Sequence, residues 1–310
     1  MPPDRLMSPD RLKRISLLAR LGAAVLTLAV LGPAHAQVPA SARIVAPIPA
    51  AAAPSSPSDA AKPVALPPAN AGTALSAPFP CSAPKALAGF DHPLRHTARR
   101  LARGEPLTIV AIGSSSTAGA GASSPAANYP SRLAVELKQR FPGQQITVLN
   151  RGVNGEETAD MMARFETDVI AEHPQLVLWQ VGTNSVLRDH PLEDHSALLR
   201  EGIDQLRDAG ADVVLIDPQY APKVIVKSET PAMVDLIALA AKEDNVGLFH
   251  RFAIMRDWYE VRHIPFETLL SPDGLHMNDG SYACVAKLLA TAISEASTRP
   301  VASAAVHSAR

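Results

Sequence analysis

Near the C-terminal end, Ser271-Pro272-Asp273-Gly274-Leu275-His276 sets a carboxylate and an imidazole three residues apart. Far upstream, Gly113-Ser114-Ser115-Ser116-Thr117 places serines in a glycine-containing turn directly after the apolar run at 107–112. A serine hydroxyl is a weak nucleophile until a base takes its proton, and the base works only in the tautomer that a third group holds. Serine, histidine and acid together are the residue types of nucleophilic acyl transfer. Asp273 and His276 share a face of a turn, so the carboxylate accepts from one ring nitrogen while the other points outward. Two further turns offer donors for a developing negative oxygen. Asn150-Arg151-Gly152-Val153-Asn154-Gly155-Glu156 brings backbone close to a ligand through its glycines. Gly182-Thr183-Asn184 ends in a side-chain amide. Neutral imidazole is the active base, so activity is expected to fall as acid protonates the ring. This chemistry calls for no metal and no cofactor.

Each segment alone also reads as something plainer: a polar strand-to-helix loop, a tight turn, a helix cap or a surface loop. A phosphate loop is excluded at residues 113–119, because no lysine follows the glycine. A Gly-x-Ser-x-Gly elbow fails because Thr117 occupies the second glycine position. The surrounding elements decide in favour of chemistry. Short, β-branched, almost continuously apolar runs at 107–112, 145–149, 176–181, 212–216 and 246–249 read as strands buried on both faces. Helical periodicity fills 129–141, 157–172, 192–209, 231–243, 253–261 and 278–296. Alternating strands and helices predict a doubly wound α/β sheet of about five parallel strands with helices on both faces, binding ligands beyond the carboxyl ends of the strands. Ser114–Ser116, the Gly152/Gly155 turn, Asn184 and the pair Gln219-Tyr220 all follow predicted strands, so topology brings them to one rim. Gln219 and Tyr220 are expected to shape a substrate pocket there.

In order and in strand placement these blocks resemble the SGNH/GDSL hydrolases, esterases and acylhydrolases built on a three-layer, flavodoxin-like sheet. That family carries a Gly-Asp-Ser turn, a glycine after the second strand, a Gly-x-Asn-Asp turn after the third and an Asp-x-x-His pair. Here they are Gly113-Ser114-Ser115, Asn150 to Gly155, Gly182-Thr183-Asn184-Ser185 and Asp273-Gly274-Leu275-His276, spread over residues 107–293. The resemblance implies Ser115 as nucleophile, His276 as general base and Asp273 as its orienting partner. It implies an oxyanion site made by the Ser115 and Gly155 backbone N–H groups and the Asn184 side chain, with Gly152 as the second candidate for the glycine. Ser114 and Ser185 depart from the family, which carries Asp at the first position and often at the second. The implied activity is ester hydrolysis through an acyl-enzyme on Ser115, with a small-molecule or glycan ester as substrate. The same residues would serve an acyltransferase that uses a glycan hydroxyl as acceptor. A non-catalytic glycan-binding module of the cell envelope would keep the fold without turnover.

The bulk numbers frame this reading. The 310 residues carry a net charge of −1 and only 4% aromatics, which gives neither a basic field nor stacking platforms for nucleic acid. Residues 1–36 read as a signal peptide: a positive flank, an apolar stretch of about 11 residues that is too short for a membrane span, and Ala34-His35-Ala36 as cleavage site. An uncleaved anchor is the alternative. Residues 37–80, dominated by Ala and Pro, build no core and read as a disordered linker. The catalytic domain is then expected at 81–297, with a flexible tail at 298–310. Secreted or periplasmic placement implies an oxidising compartment, in which Cys81 and Cys284, the only two cysteines, are expected to pair.

Overall fold

The computed structural model describes residues 81–299. The expected signal peptide, the linker and residues 300–310 lie outside the described residues. Five parallel strands form one sheet: β1 (Leu107–Gly113), β2 (Ile146–Gly152), β3 (Leu176–Gln180), β4 (Asp212–Ile216) and β5 (Gly247–Phe249), in the order β2-β1-β3-β4-β5. Alternate side chains serve opposite faces, as the two-residue period of a strand requires. In β1, Leu107, Ile109 and Ala111 enter one apolar cluster, and Val110 and Ile112 enter the other. The long helices α1 (Arg95–Arg103), α2 (Tyr129–Arg140) and α5 (Asp279–Thr298) lie with the first cluster. Helices α3 (Glu193–Asp208) and α4 (Thr230–Glu243) cover the second. Asn128 caps α2 by accepting from the Ser131 N–H, and Asn278 caps α5 by accepting from Ser281. The chain winds from β1 to β2 in one direction and then to β3 on the other side. A crevice therefore opens at the carboxyl ends of β1 and β3, the switch point where doubly wound sheets bind ligands.

The structure departs from the sequence reading in places. The helix expected over 157–172 is broken into Thr158–Met162, Phe165–Asp168 and a 3₁₀ turn at Ile170–Glu172. Its apolar anchors Met161, Phe165 and Val169 are buried as the periodicity required. The break falls at Arg164, whose guanidinium turns back to Glu156, the Arg151 carbonyl and Asp168. The helix expected at 253–261 starts earlier, at Arg251–Arg256, and finishes in a π-helical turn at Asp257–Val261. Strand β2 runs on through Gly152, which pairs with Gly113. Helix α1 was not foreseen. Chain order also continues past the expected boundary at 297: α5 reaches Thr298, and Arg299 donates to the carbonyls of Phe90 and Asp91 at 3.0 and 3.2 Å. Cys81 and Cys284 form a disulfide with their Cα atoms 5.3 Å apart, joining the first described residue to α5. No helix among the described residues is long and apolar enough to cross a membrane.

Candidate active site

Ser115, His276 and Asp273 meet at the carboxyl rim of the sheet. Ser115 Oγ lies 2.7 Å from His276 Nε2, and His276 Nδ1 lies 2.5 Å from Asp273 Oδ2. An ionised carboxylate only accepts, so the ring proton sits on Nδ1 and Nε2 is left to accept from the serine. Asp273 Oδ1 accepts from the Ser271 hydroxyl and from the backbone N–H groups of Leu275 and His276 at 2.8–2.9 Å. Partial burial opposes the charge. The bonds from the His276 ring, the two N–H groups and Ser271 outweigh it and hold the Asp273 carboxyl well below the usual range. The loop is clamped at its base, where the Ser271 N–H donates to the His276 carbonyl at 2.8 Å and Leu270 bridges Met277.

Local packing separates the three serines. Ser114 and Ser116 are each 1% exposed. Ser114 donates to Gln180 Oε1 at 3.0 Å, and Ser116 to Gln219 Oε1 at 3.4 Å. Ser115 alone is partly open, as the first residue of a short helix, Ser115–Ala118, that starts beyond the tip of β1. The end of β2 presses against this turn. A Cβ on Gly152 would lie 2.0 Å from the Ala118 nitrogen and 2.5 Å from the Thr117 carbonyl carbon, so only glycine fits. The Gly152 N–H is already engaged, donating to Asn150 Oδ1 at 2.9 Å. Gly155, at φ +82°, keeps its N–H free of protein acceptors among the described residues. The Asn184 amide donates to the Glu156 carbonyl at 2.8 Å, which sets it beside Gly155.

Glu157, which the sequence reading did not single out, ties these two donors together. Its carboxylate accepts from Ser185 Oγ at 2.9 Å, from Arg188 Nη1 and from His190 Nδ1 at 2.9 Å. Arg188 also donates to the Gly155 carbonyl at 2.7 Å. Burial opposes the Glu157 charge, and the bonds from His190, Arg188 and Ser185 overcome it, lowering its pKa. A serine at 185 donates to this carboxylate, whereas an aspartate there would repel it.

Gln219 is 1% exposed and its side chain is engaged within the protein. Its Oε1 accepts from Ser116, Thr183 and Arg251, and its Nε2 donates to the Leu275 carbonyl at 3.3 Å. It therefore joins the Ser115 turn, the Asn184 turn and the His276 loop from below. Arg251, also 1% exposed, reaches the Asp217 carbonyl at 2.9 Å. Burial pushes the Asp217 carboxyl up to about 7, against the Phe252 N–H bond and the nearby Arg251 charge. Tyr220 is likewise mostly buried, its hydroxyl donating to Glu260 and its ring against Phe252 and Phe266. His195, in the first turn of α3, is 6% exposed, and burial lowers its pKa. Among the described residues no group of three or more His, Cys, Asp or Glu side chains could hold a metal.

Known proteins resemble this chain in sequence and in fold. An arylesterase from Vibrio mimicus is 26% identical over 164 residues, covering 53% of this chain and 76% of that protein. An acetylxylan esterase from Geobacillus stearothermophilus is 30% identical over 94 residues, 27% of this chain and 43% of the other. Among solved structures, a mutant of the acetylxylan esterase Axe2 from Geobacillus stearothermophilus superposes with a TM-score of 0.53 at 21% identity, over 60% of this chain and 94% of that one. A two-domain esterase active on acetylated mannans gives a TM-score of 0.60 at 21% identity, over 70% and 57%. Both structures share the α/β fold. These kinships lie among SGNH/GDSL-like esterases. The family whose profile matches residues 80–299 is described as non-GDSL lipase-like. That wording accords with Ser114 standing where a Gly-Asp-Ser turn has its acid. With the match running over well over half of the sequence, the chain belongs to the non-GDSL lipase-like family.

Proposed function

We propose that the protein is an exported serine esterase that hydrolyses carboxylic esters, short acyl groups on glycans above all, through an acyl-enzyme on Ser115. One observation carries the reading: an unbroken hydrogen-bonded chain from Ser115 Oγ through His276 to an ionised Asp273. Ester hydrolysis accords with the arylesterase and acetylxylan esterase relatives, and the second of these motivates the glycan ester. The Cys81–Cys284 disulfide accords with an oxidising compartment.

His276 Nε2 takes the Ser115 proton as Oγ bonds to the carbonyl carbon. The negative oxygen of the tetrahedral intermediate is held by the Ser115 and Gly155 N–H groups and the Asn184 amide. Collapse breaks the carbon–oxygen bond to the alcohol, which leaves with the proton from His276. Water then gives a proton to His276, bonds to the acyl carbon and frees the acid, and Ser115 recovers its proton. Asp273 stays ionised throughout and stabilises the imidazolium.

A fluorophosphonate probe tests the nucleophile: the wild-type enzyme should label on Ser115, and an inert Ser115 alongside ester turnover would refute the assignment. Rates on acetyl and longer p-nitrophenyl esters and on acetylated xylan then define the substrate. Asn184→Ala removes one donor to the oxyanion and is expected to lower kcat about 10²–10³-fold with KM little changed, as read from initial rates on p-nitrophenyl acetate. Glu157→Gln keeps the shape but weakens the clamp on the Gly155 turn. A loss of up to about 100-fold in kcat is expected, a size typical of small misplacements in a preorganised site. Unaltered kinetics in this variant would show that the donors hold their places without Glu157.

A further inference from the structure

The near-zero net charge hides a local concentration of cations. Helix α1 reads Arg-His-Thr-Ala-Arg-Arg-Leu-Ala-Arg, with Arg95, Arg99 and Arg103 at i, i+4 and i+8, exposed one above another. Like charges at this spacing weaken a helix, so the stripe works against local stability. Arg100 pairs with Glu105 at 2.9 Å, and Arg103 lies 3.7 Å from the same carboxylate. Arg95 and Arg99 have no carboxylate within ion-pair distance among the described residues. The helix is pinned: the Thr97 N–H and hydroxyl donate to Asp212 Oδ2 at 2.8 and 2.9 Å, where β4 begins.

Two clefts open along α1. One, of about 330 Å³, is lined by His96, Arg99, Arg100, Arg103 and His173, with Glu105 its one acid. The other, of about 690 Å³, sets Arg95 and Arg207 beside Asp204, Asp208, Asp212 and Asn245, so the excess of cations lies with Arg99, Arg100 and Arg103 in the first cleft. His96 lines both, so the two form one elongated groove. The groove lies at the amino ends of β3, β4 and β5, on the opposite edge of the sheet from Ser115.

We propose that this groove binds an acidic polysaccharide chain, a uronate-bearing glycan. A guanidinium fork matches a carboxylate in geometry and charge, and arginines spaced along a helix meet carboxylates spaced along a polymer. Asp204, Asp208 and Asn245 supply acceptors and a donor for sugar hydroxyls in the same groove. The three aspartates of the larger cleft repel the dense phosphates of a nucleic acid more than the sparser carboxylates of a uronate chain, and neither cleft is lined by Phe, Tyr or Trp to stack a base. A lipid surface fits less well. Basic faces that bind membranes also carry large apolar side chains. The exposed ones among the described residues, Val135, Val153, Val226, Leu239, Tyr259 and Val261, line neither cleft. Held by its underside, the enzyme keeps the Ser115 rim free to work on neighbouring chains.

Calorimetric titration of the full-length protein with oligogalacturonate tests this directly. Wild type should bind, and raising NaCl from about 50 to about 200 mM should weaken binding about tenfold or more, as release of counterions from several charge contacts requires. R99Q/R103Q should weaken binding by a similar factor while hydrolysing p-nitrophenyl acetate at the wild-type rate. Unsubstituted xylan, which is neutral, should not bind. The salt titration uses wild type, so it stands even where the variant folds poorly. Any of four results would overturn the proposal: no binding at about 1 mM oligomer, salt-insensitive binding, equal affinity in the well-folded variant, or retention on phosphatidylglycerol vesicles but not on oligogalacturonate. The readout is affinity rather than turnover, so it is independent of the esterase reading.

Discussion

Ser115→Ala is expected to lower kcat on p-nitrophenyl acetate by roughly 10⁵–10⁶-fold, with little change in KM. The hydroxyl supplies the bond-forming electrons, and no other group at the rim stands in for it. Ser114 and Ser116 flank it at one residue's distance, but their hydroxyls are buried on Gln180 and Gln219 and do not reach His276. Ser114→Ala and Ser116→Ala should therefore retain far more activity, which makes them the internal controls. His276→Ala should be about as damaging as Ser115→Ala, and the double variant little worse than either single one, because groups that act as a unit are lost together. A Ser115→Ala enzyme that turns over like wild type, or a Ser116→Ala enzyme that alone is dead, would move the nucleophile elsewhere.

Breaking the Cys81–Cys284 bond is expected to produce the largest loss of stability of any two-residue change. The bond closes a loop with a sequence separation of 203 residues. The chain-entropy account puts the ceiling for such a loop at about 5 kcal/mol. For a domain of this size that ceiling corresponds to a fall in Tm of roughly 10–20 °C. The bond ties the entry of the domain to α5, near the point where Ser82 accepts from Trp258 Nε1 at 2.8 Å. Thermal melts of the oxidised protein, the reduced protein and the Cys81→Ala/Cys284→Ala variant would measure the effect. An unchanged Tm after verified reduction would mean that the native packing alone holds this segment.

Much of the fold could be read directly from the residues. The strands were legible because a parallel strand covered on both faces is a short apolar run, and 107–112, 176–181 and 212–216 are such runs between helical periods. Their order, 2-1-3-4-5, was not legible from periodicity alone, because apolar runs say nothing about neighbours. The strand pairing in the folded sheet gives that order. Helix α1 escaped notice because its exposed face is arginine and only Thr97 within it is fully buried, so no apolar period announced it. The helix at 157–172 kept its buried anchors and lost its continuity where the Arg164 guanidinium turns back to Glu156, the Arg151 carbonyl and Asp168.

By itself the sequence determined which residue types stand at the tips of the strands, and hence that a serine, an amide and glycines share one rim. It did so because strand direction and side-chain period are local properties. The arrival of the Asp-x-x-His turn at that rim is seen only in the fold. Only the tertiary structure decided which of three adjacent serines is open, which glycine keeps its N–H free, and that Gln219 is a buried brace beneath the rim. Those outcomes depend on partners brought from other elements, Gln180 and Asn150 on strands, Arg251 on a helix and Leu275 in a loop among them. Hydrogen-bond partners assigned across the sheet leave no trace in local spacing.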